Sequence, residues 1–148
     1  MIIRTATPED IDAIHALGEH VSEFSVNDET VTFWPKALLA GAVRSDDVLM
    51  LVAEEQGICG FLIVNCNRGL KKALIENIYV HPDVRGQGVG DQLLQKMFAV
   101  LSETDCEYVA TLVPLDAAGA IKLYEQHGFA RGEQFLWLDK SLSDTFKK

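Results

Sequence analysis

The chain has 148 residues, 48% of them apolar, which is enough to bury the full core of one domain spanning residues 1–148. Its formal charge of -9 argues against a nucleic-acid partner, because phosphate recognition needs a basic face. The opening "MIIRTATPED" lacks a signal-peptide core and no apolar run approaches the roughly 20 residues of a membrane span, so a cytoplasmic protein with no membrane partner is expected.

Charge is unevenly spread. Residues 1–60 carry eleven acids against Arg4, Lys36 and Arg44, whereas residues 61–100 carry five bases against Glu76, Asp83 and Asp91. The three cysteines, Cys59, Cys66 and Cys106, are odd in number and lack zinc or disulfide spacing; they read as buried thiols, and no metal is expected.

In chain order, "IIRTA" alternates as a strand does and ends at "TPED", where Thr7 can cap a helix that has Pro8 at its first position. Ile11, Ile14, Leu17 and Val21 then recur at helical spacing. A second helix is expected over 29–44, interrupted by Pro35, with Val31, Trp34, Leu38 and Leu39 as its inner stripe. "VLMLVAEE" and "ICGFLIVNC" are strands joined through the hairpin signal Gln56-Gly57, and "KALIENIYVHP" is a third strand stopped by Pro82. From Val89 the period changes to 3.6, with Val89, Leu93, Met97 and Leu94, Phe98, Leu101 on one face of a helix. "YVATLVP" is a further strand, "DAAGAIKLYEQH" a helix ending at Gly128, and "FARGEQFLWLDKSL" a terminal strand pair or hairpin. Nothing divides this order, so the expected class is α/β (α+β).

The stretch "YVHPDVRGQGVGDQLLQKM" places Gly86, Gly88 and Gly90 between a strand and a helix. The alternation fails the dinucleotide pattern G-x-G-x-x-G, whose third glycine would fall at Asp91, and there is no Gly-Lys followed by Ser or Thr as a P-loop requires. A plain strand-to-helix turn and a different phosphate cradle both remain. The cradle is physically reasonable: unpaired N–H groups at a helix N-terminus attract anions, glycines let a pyrophosphate approach, and Arg85 adds a charged donor. Asp91 in the helix's first turn would repel phosphate if it pointed inward.

"VHPDVRGQGVG" resembles the acyl-CoA-binding motif of the GCN5-related N-acetyltransferase (GNAT) superfamily: Arg or Gln, two residues, Gly, one residue, Gly or Ala, here Arg85, Gly88 and Gly90. "AIKLYEQHGF" is similar to that family's late helix, in which a tyrosine precedes a Gly-Phe pair. The order of elements matches over nearly the whole chain. The resemblance implies a mixed, mostly antiparallel central sheet flanked by about four helices, with a splayed pair of strands holding acyl-CoA. It implies acetyl-CoA as co-substrate, its pyrophosphate held by the backbone N–H groups of Gly86, Gln87, Gly88, Val89, Gly90 and Asp91, with the Arg85 side chain beside them. The pantetheine arm is expected along Ile78, Tyr79 and Val80 as an added strand.

Acetylating an amine needs a neutral nucleophile, and an alkyl ammonium with a pKa near 10.4 costs roughly 4 to 5 kcal/mol to deprotonate at neutral pH. By resemblance, Tyr124 is the candidate acid for the departing thiolate and also touches CoA, while the Val80 N–H polarises the carbonyl. Glu76, in the apolar strand "ALIENIYV", is the candidate base; a strict period of 2 places it on one face with Ile78 and Val80, opposite Asn77, Tyr79 and His81. Many relatives carry an asparagine seven residues before the tyrosine; this chain has Ala117 there, beside Asp116.

In the family, the first two helices wall the acceptor cleft. Here Glu19, Glu23, Phe24 and Trp34 are the candidate acceptor-binding residues: acids orient a cation and aromatics hold its apolar or charged parts. The expected activity is acetyl transfer to a primary amine of a small cationic molecule by direct transfer in a ternary complex. Acetylation of a peptide N-terminus or lysine, and a non-catalytic acyl-CoA sensor, are the alternatives; a homodimer is compatible with any of them.

Overall fold

The computed structural model describes residues 1–21, 33–140 and 142. Five strands, β1 (Ile2–Thr5), β2 (Val48–Glu54), β3 (Ile58–Asn67), β4 (Lys72–Val80) and β5 (Tyr108–Thr111), form one sheet in sequential order. Neighbours run antiparallel except β4 and β5, which run parallel. Among the described residues, four α-helices complete the fold: α1 (Ile11–Gly18), α2 (Lys36–Ala42), α3 (Val89–Ser102) and α4 (Ala118–Gln126). A mixed sheet, mostly antiparallel and flanked by four helices, is the expected architecture.

The strand alternation divides the core between the two sheet faces. Leu51, Ala53, Leu62 and Val64 meet Leu93, Leu94 and Met97 of α3 and Tyr124 of α4. Met50, Val52, Phe61 and Ile63 meet Ile14 of α1, Leu39 of α2 and Phe33. Each of the larger aliphatic and phenylalanine side chains buried here contributes roughly 1.5–3 kcal/mol, which is why apolar residues occupy both faces of β2 and β3.

Local chemistry sets the element ends. The Thr7 N–H and hydroxyl both donate to Asp10 Oδ2, at 2.8 and 3.1 Å, and Arg4 clamps the same carboxylate at 2.7 and 2.9 Å. Gln56 and Gly57 both take positive φ, as the hairpin signal requires. Gly18 lies so close to Phe33 that a Cβ there would overlap its ring.

Three expectations are corrected. Pro35 does not interrupt the second helix but precedes it; the helix begins at Lys36, and this phase buries Leu39 and Ala42 while leaving Leu38 exposed. Val31 lies outside the described residues. The cysteines are half-buried and free rather than buried. The terminal strand pair does not form: residues 130–140 carry no regular structure, and Phe135, Leu136, Trp137 and Leu138 are exposed, because no strand of the same chain pairs with them among the described residues. No helix among the described residues is long and apolar enough to cross a membrane.

Candidate active site

The site is built around an irregularity in β4. Val64 faces Ile75 and Ile63 faces Asn77, so Glu76 is an extra residue opposite nothing, a β-bulge. The bulge shifts the phase of everything after it. Ala73, Ile75, Ile78 and Val80 all pack toward α3 and α4, whereas Tyr79 packs with Phe61 on the α1–α2 face and Asn77 hydrogen-bonds Trp34 there. The expected grouping of Glu76 with Ile78 and Val80 is therefore corrected: the Glu76 carboxylate accepts from Asn65 Nδ2 at 2.7 Å, and Asn65 lies opposite Val48, which packs on the α1–α2 face. Period 2 fails because one inserted residue turns the alternation over.

The same point is where β4 and β5 part. Their parallel pairing ends at Ile75 and Thr111, and the Thr111 hydroxyl donates to the Ile75 carbonyl at 3.3 Å. Beyond it, His81 N–H donates to Cys59 O on β3 at 2.8 Å. Successive residues of a strand turn their polar groups to alternate sides. Tyr79 therefore also bonds toward β3, while Ile78 and Val80 turn N–H and C=O into the gap, where no strand pairs with them among the described residues. Of the three residues expected along the pantetheine arm, two offer backbone partners and Tyr79 contributes its packing.

At the far end of the gap lies the glycine loop. Gly86 and Gly88 both adopt left-handed backbone, φ 75° and 76°, and Gly88 is the N-cap of α3 with no side-chain cap on that helix. The first N–H groups of a fourteen-residue helix are thus left for an outside acceptor. Gly90 meets α4 so closely that a Cβ would come 3.1 Å from Leu123 Cδ2. Arg85 is partly committed: its Nε donates to Val80 O at 2.9 Å and its guanidinium lies 6.0 Å from the Tyr79 ring centroid, leaving its terminal nitrogens to the loop. Gln87 Nε2 makes a long contact of 3.4 Å to Asp83 O, and Val89 is buried. Asp91 turns to the end of α4, where His127 Nε2 lies 2.9 Å from its Oδ1.

Tyr124 is buried at 5% exposure, edge-on to Phe129 at 5.1 Å. Burial pushes its hydroxyl above the ordinary phenol value, a hydrogen bond with the Thr111 side chain opposing this in part. The phenol therefore stays protonated at neutral pH, and its partner Thr111 stands where β4 and β5 separate. Ala117 occupies the N-cap of α4 and supplies no side-chain cap, and Asp116 is exposed.

On the α1–α2 face, the Trp34 indole N–H donates at 3.0 Å to Asn77 Oδ1, one of two buried polar side chains among the described residues. Trp34, Asn77, Glu76 and Asn65 thus share that face. Glu19 is placed otherwise: exposed after α1, it lies 3.6 Å from both His15 Nδ1 and His20 Nε2. Glu23 and Phe24 lie outside the described residues. Thr111, Asn77 and His127 were not anticipated; an asparagine inside an apolar strand and a histidine just before a helix-ending glycine were the available signals.

A family model described as an acetyltransferase (GNAT) domain matches residues 46–131. An uncharacterized N-acetyltransferase of Methanocaldococcus jannaschii is 29% identical over 106 residues, covering 68% of this chain and 47% of the relative, so the chain spans about half the length of that curated relative. Among solved structures, a mutant of the BH1408 protein from Bacillus halodurans aligns with a TM-score of 0.79 at 17% identity, over 95% of this chain and 100% of that one. AAC(6')-Iy in complex with a bisubstrate analog, CoA-S-monomethyl-acetylneamine, aligns with a TM-score of 0.74 at 18% identity over 95% and 97%. The ribosomal-protein-S18-alanine N-acetyltransferase from Escherichia coli aligns with a TM-score of 0.71 at 22% identity over 89% and 79%. At these identities the structures speak for the fold.

Proposed function

Because this chain belongs to the GNAT acetyltransferase family, we propose that it acetylates a primary amine of a small cationic molecule, using acetyl-CoA as donor in a ternary complex. The observation that carries this reading is the gap beyond Ile75 and Thr111, with the backbone of Ile78 and the Val80 N–H turned into it, the glycine loop at one end and the Tyr124–Thr111 contact where it opens.

The residues fit the donor. The uncapped N–H groups of α3, the left-handed Gly86 and Gly88 and the terminal nitrogens of Arg85 suit a pyrophosphate. Backbone groups of Ile78 and Val80 suit an extended amide chain laid down as a strand. Acetyl-CoA supplies an acyl group activated as a thioester, whose transfer to an amine releases the CoA thiol.

The chain's own residues divide the remaining work. The Val80 N–H donates to the carbonyl oxygen where charge develops. Tyr124 holds its proton because it is buried, and donates it to the leaving sulfur. Glu76 accepts the amine proton, directly or through water, from the sheet face it shares with Asn65, Asn77 and Trp34. Trp34 favours a cation on that face, and the acidic balance of residues 1–60 favours its approach. A peptide α-amine is the second reading, supported by the fold shared with the ribosomal-protein N-acetyltransferase.

Thiol release from acetyl-CoA, measured across polyamines, aminoglycosides, amino acids and peptides, tests both. Turnover with a small polycation supports the first reading and turnover confined to peptides the second. Thermal stabilisation by acetyl-CoA with no turnover on any amine favours a sensor and overturns the enzyme reading.

A further inference from the structure

Asn77 carries a hydrogen-bond donor that its own molecule does not use. The side chain is buried, at 9% exposure, on an apolar stretch of the α1–α2 face: Ile63 lies opposite it, and the rings of Phe61 and Tyr79 stack two positions further along their strands. The Trp34 indole nitrogen can only donate, so the Asn77 atom that faces it at 3.0 Å is Oδ1, and the amide cannot turn over without setting donor against donor. Nδ2 is thereby fixed on the other branch of the amide, where no group among the described residues accepts from it. Buried amide groups are otherwise paired almost without exception, and one held open by its neighbour points to a partner from outside the chain.

The bulge sets a carboxylate beside this donor. In a regular strand residues 76 and 77 turn to opposite faces; here both lie on the α1–α2 face, with Glu76 held by Asn65 at 2.7 Å and Asn77 by Trp34. Consecutive Cα atoms are about 3.8 Å apart, so a proton acceptor and a hydrogen-bond donor stand side by side. Glu76 is exposed and Asn77 is buried, so a molecule that reaches the carboxylate from solvent covers the amide. The groups that match this pair are an amine and an oxygen on neighbouring carbons.

We infer that Asn77 is a specificity-determining residue and that the acceptor is a primary amine bearing an oxygen, as hydroxyl or carbonyl, on the adjacent carbon; this rests on the acetyl-transfer reading. The amine nitrogen meets Glu76, and the oxygen accepts from Asn77 Nδ2. β-Amino alcohols and α-amino amides share this arrangement, whereas plain alkyl amines and alkyl polyamines lack it. An acceptor without the oxygen covers Nδ2 with apolar surface and leaves it unpaired, which is how a site built to hydrogen-bond its substrate rejects analogues. Trp34 fixes the direction of the amide and so acts on this choice as a positioning residue; Pro35, the N-cap of α2, follows it directly.

Ethanolamine and glycinamide, set against propylamine, which has a methyl group in place of the hydroxyl, test it. Thiol release from acetyl-CoA gives kcat/KM for each at equal concentrations of free amine, and ligand-observed NMR on the protein saturated with CoA reads the same preference without turnover. Ethanolamine, glycinamide or both should be preferred over propylamine by about a hundredfold in kcat/KM, and preference for one alone tells a hydroxyl from a carbonyl. The preference should be largely lost in Asn77→Asp, which keeps the acceptor for Trp34 and removes the donor, and weakened in Trp34→Phe, which frees the amide to turn. CoA binding by calorimetry checks the fold of each variant, and Asn77→Leu serves if the buried carboxylate of the first prevents folding. A wild type without the preference overturns the inference, as does a preference that survives the loss of the Asn77 amide. An equal loss on all three amines in the Asn77 variants means a general role and also overturns it. The preference seen in binding with no thiol release overturns the acetyl-transfer reading alone, whereas turnover of other amines with none of these three bound overturns the inference alone.

Discussion

His127, immediately after α4, holds Asp91 in the first turn of α3 at 2.9 Å, and its ring stacks on Phe98 with centroids 6.3 Å apart. The contact joins the helix that the glycine loop opens to the helix that carries Tyr124, and it occupies a carboxylate that would oppose a phosphate at that helix end. His127→Ala should therefore weaken CoA binding about fivefold, the equivalent of roughly 1 kcal/mol for a partly exposed pair. Asp91→Asn added to His127→Ala should recover affinity. Titration calorimetry with CoA reads both, and a double variant as weak as the single one would count against charge as the cause.

Tyr124→Phe should lower kcat by about a hundredfold or more, the lower range of general acid catalysis, with CoA affinity unchanged. The phenylalanine keeps the packing against Phe129 and loses only the hydroxyl that meets Thr111. Unaltered turnover in this variant would sink the acid assignment.

Ala117 leaves α4 without a side-chain cap. Ala117→Asn should stabilise the protein by about 1 kcal/mol, raising Tm by roughly 3 °C, because an asparagine oxygen can accept from an unpaired N–H of the first turn. A melting curve unchanged by the substitution would mean that the N-cap backbone, at φ -80° and ψ 63°, does not admit the capping rotamer.

Two hydrogen bonds from Arg4 hold the Asp10 carboxyl at about 2, below its ordinary 3.8. A carboxyl with a depressed folded value contributes stability that is complete above its unfolded pKa and lost as pH falls through the folded one. Roughly 2 kcal/mol should accordingly disappear between about pH 4 and pH 2. Asp10→Asn should be less stable at pH 7 and should lose this limb of the profile. Urea unfolding at a series of pH values measures it; an unchanged acid limb in the variant would assign the loss to other carboxylates.

The parts that were legible in the sequence are those coded locally. Helix α3 announced itself because Val89, Leu93, Leu94, Met97 and Leu101 keep one period over its whole length, and all five are buried. The loop was legible because glycine is what left-handed backbone selects, as Gly86 and Gly88 show. What was hidden depends on distant partners. The bulge at Glu76 leaves no mark in "ALIENIYV", because it is defined by the register of β3. Trp34 reaches Asn77 across 43 positions and His127 reaches Asp91 across 36, and neither residue type reveals its partner. The terminal segment is patterned as a strand, yet residues 130–140 carry no regular structure, because propensity supplies no partner.

One consequence of the bulge concerns tolerance to change. Without Glu76, Asn77 would follow Ile75 directly and still lie opposite Ile63, so β3 and β4 would pair without a break and Asn77, Ile78, Tyr79 and Val80 would keep the faces they now have. The bulge is thus one residue of slack in the register. Its loss should cost the strand a carboxylate and some local twist while leaving the aim of the residues that follow it unchanged.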